Sequence, residues 1–202
     1  MYKILSYLME DEKKDFFIKG TMYDNNKKIV EKIFDPGKKI NPTEINSPFT
    51  IIVDEKLSSV KNKIQKDKIS VTVNDAGSLF LCSNKTKDLF TFLKIDNVQF
   101  FDVAIKSSIG ELTNYKIFNI TDKFDCVDLN LSELKLFDSG DIRRIKKLVI
   151  DPNKIPFPRK IFLLGRNTDQ VIIIHDDLMK AIEKEGLTGF VFIDLQDAGE
   201  IY

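Results

Sequence analysis

Apolar residues in this chain gather in short blocks, and the spacing inside each block sorts them into two kinds. Alternating or unbroken runs of strand length occur at "YKILSYL", "FTIIVD", "KISVTV", "SLFLC" and "VQFFDVAI" in the first half, as a pleated, part-buried surface requires. The second half adds "YKIFNI", "FDCVDLNL", "ELKLFD", "IKKLVID", "KIFLLG", "VIIIH" and "FVFID". Helical spacing is rarer. It occurs at Ile29, Val30, Ile33 and Phe34, at Leu57, Val60 and Ile64, at Leu89, Phe90 and Leu93, and in the amphipathic run that stops at Gly186. The pattern predicts an α+β fold, a mixed and largely antiparallel sheet with three or four short helices.

The joints between blocks carry their own signals. "DPGKKINPTEINSP" is rich in Pro, Asn, Ser and Thr and divides a variable N-terminal segment, 1–47, from a core, 48–202, of one domain. Asp54 and Ser83 or Asn84 are of N-cap type, Asn74 to Gly77 and Asp138-Ser139-Gly140 read as turns, and Pro152, Pro156 and Pro158 interrupt the chain before the last strands. Sliding the sequence on itself by ninety-two positions lays "LFLCSN" over "VIIIHD" and "VQFFD" over "FVFID", two similar strand-helix-strand units. Gly186 suits a helix end that needs positive φ, and Asn97 is expected to serve the same purpose in the earlier unit. If the two strands of a unit are sheet neighbours, their crossover should be right-handed.

A chain of 202 residues buries roughly 70% of its unfolded surface on folding, so its core can stand without disulfide staples. Acidic and basic residues balance to a formal charge of zero, which leaves no global field to hold nucleic acid or an anionic membrane. The longest apolar runs, such as Val171 to Ile174, fall far short of the roughly 20 residues that span a bilayer. The N-terminal stretch also lacks the apolar core of a signal peptide. A soluble, cytoplasmic protein with neither membrane nor nucleic-acid partner is expected. Cys82 and Cys126 read as reduced, buried small hydrophobes.

Candidate chemistry is sparse. The nine glycines are scattered and form no phosphate-cradling loop. His175 is the only histidine, so a metal site of several imidazoles is impossible, and a zinc site from Cys82, Cys126 and His175 matches no known spacing. His175 with Asp176 or Asp177 could form a general base at a strand end; the plainer reading is that Asp176 or Asp177 caps a helix. Charge is segregated more clearly. Arg143, Arg144, Lys146, Lys147, Lys154, Arg159, Lys160 and Arg166 face only Asp151 across residues 143–166. From Asp169 onward acids dominate, with Asp169, Asp176, Asp177, Glu183, Glu185, Asp194, Asp197 and Glu200 against Lys180 and Lys184. Either block can be a solvated face; the basic one could touch phosphates, but its stretch "DIRRIKKLVID" lacks interleaved aromatic residues.

The run from "YKIFNITDKFDCVDLNLS" through "KLVIDPNKI" to "EGLTGFVFIDL" resembles the C-terminal half of the bacterial polymorphic-toxin immunity proteins of immunity family eleven. Tyr115, Asn119, Asp125, Asp128, Ser132, Gly186, Leu187, Thr188, Gly189 and Phe192 carry the resemblance in order. It covers about the last ninety residues well and 48–105 loosely, and His175 stands where many relatives are expected to have serine. The resemblance implies a non-enzymatic inhibitor without cofactor or metal, whose partner is a cognate protein toxin. For a basic toxin the expected contacts are Asp176, Asp177, Asp194, Asp197 and Glu200 at the acidic end, then Asp122, Asp125 and Asp128. The rival readings are a hydrolase or metal-dependent enzyme built on His175 with Asp176 or Asp177, and a nucleic-acid-binding regulator using the basic block.

Overall fold

A computed structural model describes residues 1–6, 17–24, 27–28, 37–41, 43, 45, 48–54, 68–73, 77–108, 110–166 and 171–200. The expected helices over 29–34 and 57–64 and the turn at 74–76 lie outside the described residues. Strands dominate the rest. The first half contains β1 (Tyr2–Ser6), β2 (Phe17–Asp24), β3 (Lys27–Lys28), β4 (Phe49–Val53), β5 (Lys68–Val73), β6 (Gly77–Ser83), α1 (Asn84–Phe92) and β7 (Val98–Ser107). The second half contains β8 (Gly110–Ile120), β9 (Lys123–Phe124), β10 (Glu133–Leu136), β11 (Ile142–Lys147), β12 (Ile161–Leu164), β13 (Ile172–His175), α2 (Asp176–Lys184) and β14 (Val191–Asp194). The fold is mixed α+β with mostly antiparallel pairings, and the described residues hold two α-helices where three or four were expected.

One sheet runs β3-β2-β4-β7-β8-β6-β5, and β2 also pairs in parallel with β5, so six of its strands close into a ring. Closure satisfies backbone groups that open edges would leave unpaired. Period-two alternation then splits β6 and β8 between two cores. Leu79 and Leu81 of β6, Tyr115 and Ile117 of β8, and Phe49, Ile51 and Val53 of β4 share one cluster with Met22. Phe80 and Cys82 of β6 and Phe118 and Ile120 of β8 face the other way.

That second core joins the ring to a five-stranded sheet ordered β14-β1-β13-β12-β9. Leu5, Ile161, Leu163, Ile172 and Ile174 enter it from the sheet, Phe90 from α1, and Leu178 and Ile182 from α2. Asn97 donates its amide N–H to the Ile161 carbonyl at 2.6 Å, tying the two sheets together. On the far face, Ile4, Phe162, Leu164 and Ile173 pack under the β10–β11 hairpin with Cys126, Ile142 and Ile145. The 3₁₀ helix Leu195–Glu200 lies against β11, where Gly199 has no room for a Cβ because Lys146 O would be 2.7 Å away.

Several expectations are corrected by these contacts. β8 lies between β6 and β7, and β1 lies between β13 and β14, so the strands flanking each helix are not neighbours. Asn97 is not the positive-φ residue after α1; Lys94 is, at φ 53. "FDCVDLNL" contributes only Phe124, the last residue of β9, and an isolated bridge at Val127, because Asp128 folds the chain into a turn instead. β2 was not anticipated as a strand, since its apolar and polar residues do not alternate cleanly.

Candidate functional site

His175 ends β13 and caps α2: its Nδ1 accepts the backbone N–H of Asp177 at 3.2 Å. The cap falls to His175 rather than to either aspartate because His175 is the last extended residue before the helix, at φ −82 and ψ 146. Asp176 and Asp177 occupy the first turn, where negative charge offsets the helix dipole. Tyr2 packs edge-on to the imidazole with ring centroids 5.0 Å apart. A lone pair engaged in capping is not offered to a substrate proton. Cys82 and Cys126 belong to different cores, and among the described residues no three His, Cys, Asp or Glu side chains are grouped to hold a metal ion.

The acidic candidates are dispersed and largely answered from within. Asp122 Oδ2 lies 2.7 Å from Arg159 Nε, and Asp125 Oδ2 lies 2.6 Å from Arg166 Nε. Asp128 accepts the backbone N–H groups of Asn130 at 3.0 Å and Leu131 at 3.1 Å. Asp194 pairs with Lys3 at 3.0 Å and Asp176 lies 3.6 Å from the N-terminal amine, whereas the exposed Asp177 carboxylate is not answered by His175 Nδ1, which is already an acceptor. Asp197 and Glu200 belong to the C-terminal 3₁₀ helix, with Asp197 exposed.

The basic block is arranged differently. β11 shows a buried-exposed-exposed rhythm, Ile142 and Ile145 inward and Arg143, Arg144, Lys146 and Lys147 outward. A regular strand cannot do this, because its faces alternate. Two register shifts against β10 resolve the conflict: Leu134 opposes Ile145, Lys135 opposes Arg144 and Leu136 opposes Ile142, leaving Lys146 and Arg143 as the extra residues. The Arg143 guanidinium then sits 5.8 Å from the centroid of the Phe137 ring. Lys146 donates to Glu133 at 2.7 Å; that hydrogen bond and charge hold the Glu133 carboxyl below its ordinary range and raise the lysine.

At the base of the hairpin an open cleft of about 580 Å³ is lined by Met1, Tyr2, Lys147 to Ile150, Pro152 and Asp194 to Gln196. Its position matters because Tyr2, Ile150 and Leu195 also pack against the core beneath. Backbone pairing of Leu148 N–H with Leu195 O at 2.9 Å fixes that floor.

A family model described as Immunity protein family (Imm11) matches residues 17–197. The chain belongs to that family. No curated protein matches it. In this Imm11 chain the match begins at the first residue of β2 and ends inside the C-terminal 3₁₀ helix, so it takes in the ring, both helices and the hairpin. β1 precedes the match although it lies between β13 and β14. Sequence reasoning missed the exposed apolar residues Leu129, Leu131, Leu136 and Phe137. Their signal was present in "DLNLSELKLFD", where apolar residues are too many for the one face that the strand can bury.

Proposed function

We propose that the chain is a cytoplasmic, non-enzymatic immunity protein, one domain over 1–202, that binds a cognate polymorphic toxin directly and neutralises it without a cofactor. The observation that carries this reading is the immunity-family match across 17–197. The geometry is compatible with it: a platform of packed sheets presents a preformed surface, and preformed surfaces bind with a smaller ordering cost. The one histidine is engaged in capping a helix, which accords with a protein that acts by contact.

Co-expression tests the reading. Cells producing the toxin domain encoded beside this reading frame should survive when the chain is present and should die without it, and the two purified proteins should co-elute. His175→Ala should retain protection, with a loss of about 1 kcal/mol of stability from the missing cap. Death despite abundant folded chain would sink the proposal, and loss of protection in a folded His175→Ala protein would favour the enzymatic reading.

A further inference from the structure

We propose that the outward face of the β10–β11 hairpin, with the turn at 129–131 before it, is the docking surface for the toxin, and that it takes an acidic protein surface carrying an apolar anchor. This rests on the toxin-binding reading above and gives it a place and a sign of charge. The apolar evidence is concentrated. Of the eight exposed large hydrophobic side chains among the described residues, Leu129, Leu131, Leu136 and Phe137 fall within a single stretch, exposed by 44%, 61%, 45% and 46%. Apolar side chains clustered on an otherwise charged surface mark contact sites more than scattered ones do.

Charge supplies the partner's chemistry. The two bulges turn four cations outward from a six-residue strand. Among the described residues Arg144, Lys147 and Lys135 make no ion pair, and Arg143 stacks on Phe137. By contrast Asp122, Asp125 and Asp194 already hold Arg159, Arg166 and Lys3. Uncommitted cations beside exposed leucines favour a partner with carboxylates around an apolar protrusion. Nucleic acid fits less well: Phe137 is the sole aromatic on the hairpin, and one face of its ring lies towards Arg143, so there is no row of rings for successive bases to stack on.

The platform is also held still. Ile142 and Ile145 are rooted in the core, Leu148 is bonded to Leu195, and Gly199 abuts Lys146. Such anchoring removes part of the ordering cost of binding. The apolar cleft beside Lys147 continues the surface towards Tyr2 and Leu195.

The experiment measures association and dissociation of the purified chain with the adjacent-frame toxin domain at low and high salt. Arg144→Glu with Lys147→Glu should slow association roughly tenfold or more and flatten its salt dependence. Leu131→Ser with Leu136→Ser should speed dissociation by a similar factor while leaving the melting temperature near that of the wild type. The proposal is overturned if wild type binds the toxin and both hairpin variants bind equally well. It is overturned too if Asp177→Lys with Asp197→Lys is the change that abolishes binding, or if the hairpin variants lose only a salt-dependent shift of DNA or RNA. Failure of the wild type itself to bind the toxin marks the functional reading as the one that fails, and the docking surface falls with it.

Discussion

Cys126 shows how one residue's surroundings set its chemistry. It is fully buried under the hairpin, its backbone carbonyl accepts the N–H of Asp151 at 2.7 Å, and Asp125 is its neighbour in sequence. Burial, with Asp125 and Asp151 adding to it, pushes the thiol from its ordinary 9.0 up to about 11. The folded state therefore keeps a proton that the unfolded chain gives up first. Below pH 9 both states are protonated and nothing is lost; as the pH climbs from about 9 towards 11 the folded state loses stability. Urea midpoints at pH 8 and pH 10.5 should differ more in wild type than in Cys126→Ala. An equal difference in both proteins would show that other groups carry the alkaline loss. The sequence made Cys126 legible as a buried, reduced thiol with Asp125 beside it, but Asp151, the second aspartate that raises it, becomes its neighbour only through the Val127–Ile150 bridge.

Helix ends are where local sequence and structure agree most closely, and where one substitution can be argued cleanly. After α1, Ile95 N–H reaches Phe90 O and Lys94 N–H reaches Thr91 O; after α2, Leu187 reaches Ile182 and Gly186 reaches Glu183. Both are the same C-terminal motif, which puts its C′ residue in the left-handed region. Gly186 at φ 68 was readable, because glycine takes that conformation freely. Lys94 at φ 53 was not: nothing in a lysine announces it, and Asn97, the residue type that suits the position, is buried at the joint between sheets. Lys94→Gly should therefore raise the melting temperature slightly, by up to about 1 kcal/mol of stability, and Gly186→Ala should lower it by about 1 kcal/mol. Gly186 has open space around its missing Cβ, so only the backbone term is at stake. The hairpin was harder to read for a related reason. Its alternation is broken by bulges, so a period-two search assigns strand to "IKKLVID" and overlooks Arg143 and Arg144, which precede it in β11.

At the scale of the molecule, the strands themselves were mostly legible and their closure was not. The β2–β5 pairing joins Phe17–Gly20 to Ser70–Val73, and the β1 pairings join the first strand to β13 and β14, contacts that no local pattern encodes. What such long-range pairing does to cooperativity can be measured with the two cysteines, which report on different places. Cys82 lies on β6 in the core between ring and sheet, and Cys126 lies in the core beneath the hairpin. Both are buried and free of disulfide, so each thiol reacts only after its own surroundings open. One strand, β13, contributes Ile172 and Ile174 to the first core and Ile173 to the second, with Val171 just before it also in the second. Loss of either core therefore removes part of the burial that holds β13 in place. Unfolding should be a single transition, with Cys82 and Cys126 becoming reactive at the same urea concentration when followed separately in Cys126→Ala and Cys82→Ala chains whose midpoints are matched to their own circular-dichroism curves. Two separated labelling midpoints, with Cys126 exposed first, would instead mean that the sheet and hairpin open while the ring stays closed, and the chain would then be two folding units meeting at one core.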